Sequence, residues 1–275
     1  MMQKSSGGYQ VRVNYAYGTD LPLPPPQPPQ QSPQQLQARA LAVVRAFEPK
    51  RVVGFDKIRI GRKADGGYVY VNDFSGVGAA VSLGIENEVS WDLDIAQRNI
   101  PVYQFDHTID KAPVPNPLLT FHKLRVAPVD APGEISLDSI ARRYLAHCER
   151  AVLKMDIEGE EWNVFNATSR ATLEKFSQIA CEFHWLEHAA DARASTFFLQ
   201  VLTKMRSVFE VVHVHGNNSH PFVNIGNLML PELLEVTFVN RRHYQFEETN
   251  ERFPTQLDYP NIPQIPDMLL GCFKF

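Results

Sequence analysis

Between residues 34 and 47 the apolar side chains Leu36, Ala40, Val43, Val44 and Phe47 recur at helical spacing, and Pro49 closes the pattern. A first helix is expected there, and with it the start of the globular domain. Beyond it, short β-rich runs alternate with amphipathic ones, as in a sheet whose parallel strands are joined by crossover helices. Strands are expected near residues 67–72, 79–84, 101–106, 118–123, 151–156 and 178–184. Trp91, Leu93, Ile95 and Ala96 support a helix after the second of these, and Ser136 opens another that carries Ile140, Tyr144 and Leu145. A further helix over 191–207 starts at Asp191 and aligns Phe197, Phe198, Val201, Leu202 and Met205 on one stripe. Two last β-rich runs, 209–215 and 234–240, are separated by a turn-rich stretch without helical pattern, so they are expected to pair antiparallel. The expectation is an α/β domain, mostly parallel, with an antiparallel ending that differs from the all-parallel dinucleotide fold of dehydrogenases. The tail, 252–275, mixes prolines with Phe253, Leu257, Tyr259, Ile262, Ile265, Met268 and Leu269, the pattern of an extended arm lying on the domain.

Composition changes this picture at the N-terminus. Residues 21–35 hold seven prolines and little that can pack, a run that favours polyproline II. Residues 1–34 are therefore expected to form a disordered Pro/Gln-rich arm. Residues 35–275 then make one domain, including the extended C-terminal arm from about 243 onward. The proline run acts as a spacer, or as a ligand for a proline-reading partner. The 275 residues suffice for one sizeable core, with 44% hydrophobic and 21% charged positions. The net charge of -4 gives no overall attraction to nucleic acid, so no nucleic-acid partner is expected. Cys148, Cys181 and Cys272 form no C-x-x-C pair, which argues against a disulfide framework and a zinc finger. No window reaches the roughly 20 apolar residues of a membrane span, and the N-terminus lacks an apolar leader. A cytoplasmic protein is expected.

Ligands of open α/β sheets bind beyond the carboxyl ends of the strands, so the strand exits are where chemistry is sought. The first exit is Gly84-Ile85-Glu86-Asn87, where a glycine allows close approach to the backbone. It lacks the G-x-G-x-x-G fingerprint, which disfavours a nicotinamide oxidoreductase. Asp106, followed by His107, ends the next strand 22 residues after Gly84, the interval at which an acid accepts ribose hydroxyls in nucleotide-type sites. A turn or N-cap role is the alternative for that aspartate. The third exit, Lys154-Met155-Asp156-Ile157-Glu158-Gly159-Glu160-Glu161, converges several acids that need a cation, donors or solvent. Asp156 can orient a hydroxyl, touch a cofactor or ligate an ion. Lys154 pairs with an acid or acts as a base of lowered pKa. Glu160 and Glu161 read better as favouring the dipole of a following helix. At the fourth exit, Glu182 and His184 alternate and share one side of a strand, and His213 and His215 repeat that spacing. Imidazoles and carboxylates can thus gather around Asp156, with His184 ranked first as general base. A divalent metal is left open by this set without being required by it.

Ser136-Leu137-Asp138-Ser139 followed by Lys154-Met155-Asp156-Ile157-Glu158-Gly159-Glu160-Glu161 resembles the LD and KIDxEGxE signatures of FkbM-type methyltransferases. Ile60-Gly61, Asp65-Gly66-Gly67-Tyr68, Ser82-Leu83-Gly84-Ile85, Val89-Ser90-Trp91-Asp92, Phe105-Asp106-His107 and Glu182-Phe183-His184 resemble segments of related methyltransferase-like proteins. The resemblance extends over about residues 50–270. It implies a Rossmann-like class I fold of seven strands, the last antiparallel, with helices on both faces and S-adenosylmethionine as cofactor. It further implies that Gly84, Ile85 and Glu86 approach the methionine part, that Asp106 beside His107 accepts the ribose hydroxyls, and that Asp156 faces the transferred methyl group. The turn Ile85-Glu86-Asn87 departs from the fuller glycine motif of many relatives. The activity implied is O-methylation of a hydroxyl on a small molecule or sugar, with Asp156, His184 or Glu182 receiving the proton. A competing reading is a non-catalytic adaptor that keeps the fold and recruits partners through its proline-rich arm.

Overall fold

The computed structural model describes residues 32–275. The expectations for the N-terminal arm and its proline-reading partner fall almost wholly outside the described residues. The first helix, α1, runs Pro33–Arg45 and buries Ala40, Val43 and Val44.

Seven strands form the main sheet: β1 (Val77–Leu83), β2 (Val102–Phe105), β3 (Leu119–His122), β4 (Arg150–Met155), β5 (Phe176–Phe183), β6 (Phe209–Gly216) and β7 (Leu234–Asn240). Their spatial order is β3-β2-β1-β4-β5-β7-β6. Neighbours from β3 to β5 pair parallel, and β7, the last of these seven along the chain, inserts antiparallel between β5 and β6. This is the class I methyltransferase topology, a Rossmann-like sheet with its last strand reversed. The register brings the strand exits to one edge: Leu83 lies opposite both Phe105 and Met155. Gly84, Asp106 and Asp156, each the next residue, therefore leave the sheet side by side.

Alternation along the strands sorts side chains to two faces. Ala79, Val81, Leu83, Leu153 and Met155 join a core with α1, α3 (Leu137–Tyr144), α4 (Glu161–Ala167) and α6 (Ala192–Arg206). A short α5 (Arg170–Leu173) precedes β5. Ala80, Val102 and Val152 face a second core with Trp91 and Ile95 of α2 (Ser90–Ala96). The expected caps are in place. Ser136 accepts from the amide of Ser139, and Asp191 accepts from those of Arg193 and Ala194.

The sheet strand expected over 67–72 is a correction. Tyr68–Val71 pairs only with Lys57–Ile60, as an antiparallel hairpin outside the main sheet. All four of its residues are buried because the hairpin lies across the second face of the sheet. Tyr70 donates to the Leu153 carbonyl at 2.8 Å, and the Gln178 side chain bonds both the amide and the carbonyl of Val71. Local pattern shows burial, not which neighbour provides it. The turn-rich stretch between β6 and β7 likewise contains a small hairpin, Phe222–Ile225 with Leu228–Pro231.

The C-terminal tail lies on the domain in extended form, fixed where its acids meet β6. His213 Nε2 lies 2.8 Å from Asp258. Both nitrogens of His215 face carboxylates at 3.0 Å, Glu235 through Nδ1 and Asp267 through Nε2. Burial would lower the His215 pKa, but the two carboxylates outweigh it and raise it to about 10. The imidazolium therefore clamps the tail. Because this pKa exceeds the ordinary value of about 6.5, the stability it contributes is complete below that value and is lost as pH rises through about 10. His215→Gln is expected to destabilise the protein by about 3 kcal/mol at pH 6. Urea unfolding of both proteins across pH 6 to about 10 should show that gap closing toward alkali.

Candidate functional site

The exits of β1, β2 and β4, with the chain after β3, enclose a cleft of about 160 Å³. Its walls come from Gly84–Glu86, Asp106–Thr108, Leu124–Val126, Lys154 and Asp156–Glu158. It lies at the strand edge where open α/β sheets take ligands. Gly84 has φ +68°, and a Cβ there would stand 1.6 Å from the Asp156 carbonyl oxygen. No other residue allows the β1 and β4 exits to approach so closely.

Asp106 holds the turn that follows. Its Oδ2 accepts from the amides of Ile85 at 2.9 Å and Glu86 at 2.8 Å. Oδ1 accepts from the Thr108 amide at 2.7 Å and hydroxyl at 2.6 Å. Burial pushes its pKa up, but these hydrogen bonds win and hold it below the usual range. Four donors fill what a carboxylate ordinarily accepts. The ribose contact implied by the resemblance thus meets a side chain already engaged with its own turn. His107 and Glu86 are exposed on the cleft wall.

Lys154 is buried, donates to the Gly84 carbonyl and sits over the Tyr68 ring. Asp156 Oδ2 accepts from the Tyr68 hydroxyl at 3.0 Å. Burial raises the Asp156 pKa to about 6 against the opposing charges of Lys154 and His184. Glu182 is driven well above the usual range by burial and by the charges of Asp156 and Glu235. Its Oε2 accepts from Asn217 at 2.8 Å. His184 Nε2 lies 3.5 Å from both Glu158 and Glu182, and Nδ1 lies 3.3 Å from Glu161. Burial lowers the His184 pKa, but the surrounding carboxylates raise it on balance.

A second, larger chamber of about 510 Å³ shares Asp65, Asp156 and Glu158 with the cleft. Glu182, His184, Asn217 and Asn261 line it, and Trp185 stands at its side, 45% exposed. Trp185 takes φ +69°, and Gly159 makes room for its indole: a Cβ on Gly159 would meet Nε1 at 1.9 Å.

Lys154, Asp156, Glu182 and His184 are thus brought together, with Gly84, Ile85, Glu86, Asp106 and His107 around the adjoining cleft. His213 and His215 are not part of this group; they hold the tail. Three participants were not singled out by sequence reasoning. Glu161, read as favouring the dipole of the following helix, is fully buried, and its Oε1 accepts from the amides of Ile157 and Gly159. Tyr68 reaches the site from the displaced hairpin. Asn261 comes from the tail, donating to Glu235 at 2.7 Å and Asp65 at 3.1 Å. No local signal marks Asn261, since its partners lie far off in sequence.

Residues 90–210 match the family model described as the methyltransferase FkbM domain. The match covers less than half of the chain. Within the matched segment lie Asp106, Lys154, Asp156, Glu161, Glu182 and His184, while Gly84 precedes it. No curated protein sequence matches the chain. Among solved structures, the fibrillarin/Nop5p complex is 10% identical, with TM-score 0.35, over 61% of this chain and 74% of that one. EvdMO1 is 12% identical with TM-score 0.32, over 61% of this chain but only 38% of its own length. An S-adenosylmethionine dependent methyltransferase from Mesorhizobium loti is 13% identical with TM-score 0.32, over 60% and 92%. Likeness at this level carries no weight beside the strand order itself.

Gly84→Ala is expected to cost at least about 2 kcal/mol, through backbone overlap and a left-handed φ. Urea denaturation of the variant measures that loss.

Proposed function

We propose that the protein is an S-adenosylmethionine-dependent methyltransferase acting on a hydroxyl of a small molecule or sugar. The observation that carries this reading is the charge of the cleft. Asp65, Glu86, Glu88, Asp156, Glu158 and Glu160 line it against Arg125 and Lys154. Arg125 is paired with Glu134 and Glu160, and Lys154 is turned to the Gly84 carbonyl. Such walls repel the pyrophosphate of a dinucleotide and favour a ligand bearing a sulfonium and an ammonium. The FkbM match and the strand order support the same cofactor.

When bound, this cofactor supplies an activated methyl group, so the protein's task is chiefly alignment and exclusion of water. Asp156 borders both cavities and is suited to face the methyl group from the cleft and the acceptor from the chamber. A hydroxyl that accepts a methyl group must lose its proton. Asp156, His184 and Glu182 line the chamber, and Asp156 and His184 are the groups suited to take that proton. The carboxylates and amides of the chamber suit a polyhydroxylated acceptor, and Trp185 offers a ring face for stacking. Three free thiols, Cys148, Cys181 and Cys272, support a cytoplasmic, reducing location. Among the described residues no helix is long and apolar enough to cross a membrane.

Calorimetry with S-adenosylmethionine is expected to give saturable binding at one site per chain. Asp106→Asn sets an amide donor against the Ile85 and Glu86 amides and should weaken binding at least tenfold, with the circular dichroism spectrum unchanged. In assays with labelled cofactor and hydroxyl acceptors, His184→Gln should lower turnover by about 10²-fold. Absence of saturable cofactor binding in the unmodified protein sinks the reading.

A further inference from the structure

We propose that Asp156, Glu161 and His184 form a binding site for one divalent cation of the magnesium–manganese class, at the floor of the larger chamber. One ligand atom from each of the three residues lies within 4.8 Å of the others. Two of these groups carry atoms with no partner. Glu161 is 0% exposed, and while Oε1 accepts two backbone amides, Oε2 makes no hydrogen bond. His184 is 7% exposed, and its Nδ1 makes none either, although Glu161 Oε1 stands 3.3 Å away. A buried carboxylate oxygen left without donor or cation is costly, and a second unpartnered atom on the facing ring repeats the cost at the same spot. One cation between them satisfies both.

The spacing agrees. Ligands at about 2.1 Å from one ion stand about 3 to 4 Å apart, and the ligand atoms of the three residues lie within 4.8 Å of one another. The backbone prepares the cluster on two sides. The amides of Ile157 and Gly159 fix the Glu161 carboxylate, and the Trp162 indole donates to the His184 carbonyl at 2.8 Å, anchoring the end of β5. Two carboxylates and a single imidazole favour a cation that prefers oxygen ligands over one that seeks thiolates or several imidazoles. Asp156 and His184 line the chamber and Glu161 lies behind them. The remaining coordination positions therefore open toward the chamber, available to water or an entering hydroxyl. That last use rests on the proposed methyl transfer; binding of the ion does not.

Mn²⁺ titrated into the full-length protein without cofactor, followed by loss of the free-ion paramagnetic resonance signal, should show one saturable site that Mg²⁺ displaces. Glu161→Gln and Asp156→Asn should each weaken Mn²⁺ at least tenfold. Glu161→Gln retains an oxygen for the two amides, but if it fails to fold, Asp156→Asn decides alone, with circular dichroism as the check. No saturable Mn²⁺ in the unmodified protein, or unchanged affinity in the folded variants, overturns the site. Cofactor calorimetry run in parallel keeps the outcomes apart: intact S-adenosylmethionine binding beside absent Mn²⁺ binding removes the metal site and leaves the methyltransferase reading standing.

Discussion

Everything at the carboxyl edge of this sheet depends on two strand ends being closer than side chains normally permit. The Asp156 carbonyl occupies the space where Gly84 would carry a Cβ. The Lys154 ammonium closes the same junction from below by binding the Gly84 carbonyl. Once that junction is set, the turn after Gly84 can reach Asp106, which gathers its amides, and Asp156 is left at the boundary of cleft and chamber. The arrangement concentrates acid. Asp156 and Glu182 are both pushed upward by burial, because each loses solvent among like charges.

Much of the sheet was legible because a buried parallel strand is an apolar run ended by a polar exit. The exits Gly84, Asp106 and Asp156 could be read from that alone, and the Glu182–His184 alternation put both on the same side of one strand. The run at Tyr68–Val71 carried the same local signal and meant something else. Its burial comes from lying across the sheet, a matter of tertiary placement that four residues cannot encode. Glu161 failed in the opposite direction. A glutamate in the first helical turn is ordinarily solvated, and only the return of the preceding loop over it makes it interior.

The two alternating pairs make the same point about spacing. Glu182–His184 and His213–His215 look alike in sequence, yet β7 separates their strands. The first pair meets the acids after β4, while the second meets acids of the tail and of β7. Which charges surround an imidazole is decided by neighbours that alternation does not name.

The tail that β6 holds also supplies Asn261 and Ile262 to the larger chamber, though neither lines the cleft beside it. The two halves of the pocket therefore answer to different stretches of chain. Changes in the last two dozen positions can reshape what the chamber admits while the glycine turn and its acids stay as they are.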